Sequence, residues 1–75
     1  MTITITLNEF EMTAPSQESL GAGWDWCNSP ETSKQDMIDF CAAHGEDILE
    51  GDGNTLVDEW AEIAAITYAN HKSAQ

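Results

Sequence analysis

One stretch of this chain alternates cleanly between apolar and polar residues: Ile3, Ile5 and Leu7 interleave with Thr2, Thr4 and Thr6. Period two with β-branched side chains is the pattern of a strand buried on one face. A strand leaves a row of unpaired backbone groups unless something pairs with it. The chain offers two further candidates, the segment around Phe10 to Met12 and the short run from Asp47 to Glu50. After Leu7 the apolar phase moves from odd to even positions, which calls for a bulge or turn near Asn8 and Glu9. The other periodic segments are helical. The pattern therefore predicts an α+β fold, a small single domain with an N-terminal strand or hairpin (1–12) packed on two helices.

Residues 13–30 are rich in Ser, Gly, Pro and Gln and contain Trp24 and Trp26. Neither period is sustained there, so the expectation is an ordered, tryptophan-containing loop. A first helix is expected over 30–45, with Ser29-Pro30 or Thr32 and Gln35 as its cap. Met37, Phe40, Cys41 and His44 fall at i, i+3, i+4 and i+7, one buried stripe that Gly45 ends. Gly51-Asp52-Gly53-Asn54 breaks the chain within an acidic turn, 46–54. A second helix is expected over 55–72, capped by Asn54 or Thr55. Leu56, Trp60, Ile63, Ala64 and Thr67 form its stripe, widened by Val57, Ala61 and Tyr68.

Fourteen acidic residues stand against two lysines and no arginine in 75 residues, a formal net charge of -12. A domain of this length has a radius of gyration of roughly 11 Å and is about 29 Å across. A duplex segment that long carries roughly 17 phosphate charges. The two densities are comparable. Self-repulsion at this level opposes compaction, so it points either to solubility or to a basic partner. The charge also argues against the anionic cytoplasmic leaflet, and no apolar run approaches a membrane span. The N-terminus lacks the basic and continuous apolar regions of a signal peptide, so the expected location is the cytoplasm.

Motifs for chemistry are weak. Cys27, Cys41, His44 and His71 match no zinc-finger spacing, and Cys41 and His44 lie on the apolar stripe, where packing explains them better than metal or nucleophilic chemistry. A Cys27–Cys41 disulfide is disfavoured in a reducing cytosol. The Asp52 segment resembles the middle of a calcium loop, but the required glycine and terminal glutamate are out of register. No phosphate loop or nucleophile elbow is present. We expect no enzyme and no cofactor.

The surface acids are the candidate site: Asp36, Asp39, Glu46, Asp47, Glu50, Asp52, Asp58, Glu59 and Glu62, with Trp24 and Trp26, whose indoles share a direction in a strand-like segment, as aromatic anchors of an interface. At least one of the two is expected in the core. In size, charge and mixed fold the chain resembles the small acidic inhibitors encoded by phages and mobile elements, among them anti-CRISPR and anti-restriction proteins, several of which act as DNA mimics. The resemblance rests on no alignable motif, so it carries over no residue. It implies a basic nucleic-acid-binding protein or complex as partner, such as a CRISPR effector in the host cytoplasm, whose DNA channel the carboxylates occupy in place of phosphates. It implies no direct binding of nucleic acid or membrane. The alternative is an acidic interaction module or antitoxin that binds a basic protein without mimicry. A homodimer through the N-terminal strand is a further expectation.

Overall fold

The computed structural model describes residues 2–7 and 10–73. Strand β1 (Ile3–Thr6) pairs antiparallel with β2 (Glu11–Ala14), in the register Ile3 to Ala14 and Ile5 to Met12. Odd positions of one strand thus face even positions of the other. The shift of apolar phase is what lets Ile3 and Ile5 share a face with Met12 and Ala14. The bulge or turn expected at Asn8 and Glu9 lies outside the described residues. Leu7 donates its N–H to the Phe10 carbonyl at 2.8 Å, and Phe10 stays 43% exposed.

Three helices follow: α1 (Gln17–Asn28), α2 (Lys34–Ala43) and α3 (Trp60–Ser73). The α+β class holds, and the described residues form one helix more than expected. Residues 13–30 are not a loop. Ser16 caps α1 by accepting the Ser19 N–H at 3.1 Å, and Ser29 closes it by donating to the Trp26 carbonyl. The glycines that read as loop signals are accommodated within the helix, and Gly23 serves its packing. A Cβ there would run into the carbonyl oxygen of Ala65 on α3, so only glycine permits this approach.

Because Ser29 is spent on α1, the cap of α2 falls to Ser33. Its hydroxyl accepts the Asp36 N–H while the Asp36 carboxylate accepts the Ser33 N–H, each at 3.0 Å, a capping box. The far end behaves as the sequence predicts. Gly45 turns left-handed at φ 83, and the Gly45 and Glu46 N–H groups donate to the Ala42 and Cys41 carbonyls.

The second predicted helix starts five residues late, at Trp60. Before it, Leu49 and Leu56 form an antiparallel bridge, with Val57 N–H donating to Ile48 and Glu50 N–H to Thr55. That bridge takes Leu56 and Val57 out of the helical stripe. It also buries Ile48. Helix α3 is the centre of the molecule. Five consecutive residues, Ile63 to Thr67, are buried, because α1, α2 and β2 each cover part of it. Thr67 satisfies its buried hydroxyl by donating to the Ile63 carbonyl at 2.7 Å. Leu7, Met37, Cys41, Ile48, Ile63 and Ala64 form the core cluster, flanked by Trp26, Cys27 and Trp60. Each fully buried aliphatic side chain contributes roughly 1.5–3 kcal/mol. The whole measures 37 × 30 × 19 Å with a radius of gyration of 11.8 Å, close to the value expected from length.

Candidate functional site

The candidate acids fall on three parts of this frame. Asp36 and Asp39 stand exposed on α2, where Asp39 accepts a hydrogen bond from Gln35 at 2.9 Å and Asp36 serves the cap. Glu46, Asp47, Glu50 and Asp52 belong to the segment between α2 and α3, all exposed except the half-buried Glu46. Asp58, Glu59 and Glu62 surround the start of α3. Together with Ile5, Thr6 and Leu7 they line an open groove of about 560 Å³. This trio is the one the fold brings together with a neighbouring element.

Two further candidates are engaged inside the protein. Asp47 accepts the Leu49 N–H at 3.0 Å. Asp52 accepts the N–H groups of Asn54 and Thr55 and the Thr55 hydroxyl, at 2.9, 2.9 and 2.7 Å. Those donors, the Asn54 N–H foremost, favour the charged form and lower the Asp52 pKa from 3.8 to about 2. The carboxylate that resembles a calcium ligand is therefore the organiser of its own turn, with Gly53 at φ 75 completing it. Among the described residues, no three His, Cys, Asp or Glu side chains are grouped to hold a metal ion.

The tryptophan pair does not form one surface. On a helix, residues two apart diverge by about 200°, so the shared direction expected of a strand-like segment is lost. Trp26 turns inward and stacks on Tyr68 at 4.7 Å, with Phe40 at 4.9 Å. Trp24 is half-buried elsewhere on α1. His44, expected on the buried stripe, is exposed at the end of α2, its ring 4.4 Å from both Phe40 and His71. Cys41 is fully buried, so the thiol and imidazole point to different environments. Burial raises the pKa of both thiols, that of Cys27 to about 11 with a further contribution from Cys41. Protonated thiols make poor nucleophiles at neutral pH.

Reading 13–30 as a loop concealed part of the anionic surface. Glu18 and Asp25 lie seven residues apart, on one exposed face of α1. The signal was Pro15-Ser16 with Glu18 in the first turn, followed by Leu20, Trp24 and Cys27 at helical spacing. The two lysines, in contrast, lie over rings: Lys34 at 5.8 Å from Trp60, and Lys72 at 5.7 Å from Tyr68. No helix is long and apolar enough to cross a membrane among the described residues.

Fold and surface together define a small α+β domain, a two-stranded hairpin on three helices, with carboxylates on every helix and in the connecting turn. Comparison with protein-family models, curated proteins and solved structures found no match.

Proposed function

We propose that this domain is an acidic inhibitor protein that acts in the host cytoplasm, presenting carboxylates in place of nucleic-acid phosphates and blocking the basic DNA-binding channel of a host defence complex, in the manner of anti-CRISPR proteins. The observation that carries the reading is the spread of exposed negative charge. Exposed acids occur on α1, on α2 and along residues 47–58, while both lysines are drawn over aromatic rings. A duplex as long as the 37 Å axis of the molecule carries about 22 phosphates, against fourteen acids here. That density suits a lysine- and arginine-lined channel, where complementary potential speeds association and disfavours other partners.

The test is capture from nuclease-treated host lysate on the immobilised domain, followed by elution with a defined DNA duplex or with polyglutamate of equal charge. Mimicry requires that the retained protein bind DNA and be displaced by duplex at concentrations where polyglutamate leaves it bound. A retained basic protein that duplex fails to displace would refute mimicry and place the domain among acidic interaction modules or antitoxins.

A further inference from the structure

The two edges of the hairpin differ. In an antiparallel pair, hydrogen-bonded and non-hydrogen-bonded residue pairs alternate, and the latter turn their N–H and C=O groups away from the partner strand. The Leu7 to Phe10 hydrogen bond sets the phase. Ile5 with Met12 and Ile3 with Ala14 are then the bonded pairs, whereas Thr4 with Thr13 and Thr6 with Glu11 point their backbones outward. On the β2 side, the outward Thr13 carbonyl accepts a hydrogen bond from Asn70 of α3 at 2.9 Å. That bond confirms the phase and ties the β2 edge to α3. On the β1 side, Thr4 and Thr6 are exposed, and the strand borders the open groove whose other wall is Asp58, Glu59 and Glu62.

We propose that the outer edge of β1 is a docking site for an extended, lysine- or arginine-bearing segment of a partner protein, which adds as a third strand on Thr4 and Thr6 and places its basic side chains in the groove against Asp58, Glu59 and Glu62. Main-chain hydrogen bonds supply affinity in this mode, and side chains at alternate positions supply specificity. Charge selects the occupant. A second copy of the chain would bring another -12 to the same edge, whereas a basic strand neutralises the groove. This site does not depend on phosphate mimicry, because it reads a polypeptide backbone.

The test uses the full chain and an acetylated, amidated hexapeptide alternating lysine and valine, with amide exchange and chemical shifts followed by NMR. The expected result is binding that slows exchange of the Thr4 and Thr6 amides at least about tenfold. Methylating alternate peptide nitrogens on the pairing edge should abolish binding, and a glutamate–valine peptide should not bind. Neutralising the groove with Asp58→Asn, Glu59→Gln and Glu62→Gln should weaken binding about tenfold or more. Asp58→Asn alone, at an exposed position, should act in the same direction and guards against a folding defect in the triple variant. The proposal is overturned if the methylated peptide binds as well as the parent, or if Thr4 and Thr6 exchange is unchanged. Protection of those amides that grows with protein concentration without peptide would also overturn it, in favour of self-pairing. DNA displacement of a captured target plays no part in this assay, so the two proposals fail separately.

Discussion

Alanine in place of Gly23 should destabilise the protein, and the same change two residues earlier should do the opposite. A Cβ at Gly23 would lie against the Ala65 carbonyl oxygen, 2.9 Å from its carbon and 3.1 Å from Ala65 Cα. Ordinary carbon contacts sit at about 3.5–4.0 Å, and the carbonyl oxygen is nearer still than its carbon, so α1 and α3 would have to part by about 1 Å or more. The obstacle is backbone, which no rotamer change can move. Overpacking of this kind costs about 1–3 kcal/mol, and against it stands the helix-propensity gain of alanine over glycine, about 1 kcal/mol. With the clash at the upper end, the net loss is about 2 kcal/mol, or a fall in Tm of roughly 8–16 °C for a domain of this size. At Gly21 a Cβ would meet nothing within 4 Å. There the propensity gain stands alone, and Gly21→Ala should raise Tm by a few degrees. Thermal and urea unfolding followed by circular dichroism compare the pair directly. A Gly23→Ala variant as stable as Gly21→Ala would refute the close approach of α1 to α3.

Ser33→Ala removes one half of the capping box and should cost about 1 kcal/mol in urea unfolding, with the loss of helix signal confined to α2 in amide exchange. The thiols tie stability to alkaline pH: Cys27 holds its proton more tightly folded than unfolded, its pKa rising from 9.0 to about 11. Its stabilising contribution is therefore complete below pH 9 and should disappear between pH 9 and about 11, while iodoacetamide labels Cys41 only on unfolding. Asp52 works in the opposite sense. Its folded pKa is depressed from 3.8 to about 2, so the turn it organises should stay ordered above pH 4 and loosen as pH falls towards 2, read from the exchange of the Asn54 and Thr55 amides. An Asp52 carboxyl that titrates in NMR at its ordinary value would contradict that geometry.

The strand at Ile3 to Thr6, the stop at Gly45 and the buried run through Ile63 and Ala64 were all legible, because each depends on local periodicity or on one residue's backbone freedom. The helix at Gln17–Asn28 was not. Its glycine at position 23 weakens every local helix signal, and its reason for being there is a contact with Ala65, 42 positions along the chain. The start of α3 was misplaced for a related reason. Leu56 and Val57 fit a helical stripe, but their pairing with Leu49 and Ile48 decided the backbone. Among the site residues, the exposure of Asp36 and Asp39 followed from helical phase, whereas Glu59 and Glu62, expected on the wet arc of the second helix, are half-buried because that helix starts late and packs beside β1. The internal use of Asp36 and Asp52 depended on which serine capped α2 and on how the 50–55 turn closed.

The bond from Asn70 to Thr13 has a bearing on stoichiometry. A ribbon with two open margins can be extended at both, and repetition of that step yields fibres. Here the β2 margin is joined to α3, so a molecule can accept a strand at β1 but cannot pass the pairing on through its second edge. Complexes made through this sheet should be finite, with one guest per molecule, even in a protein that leaves a strand uncovered.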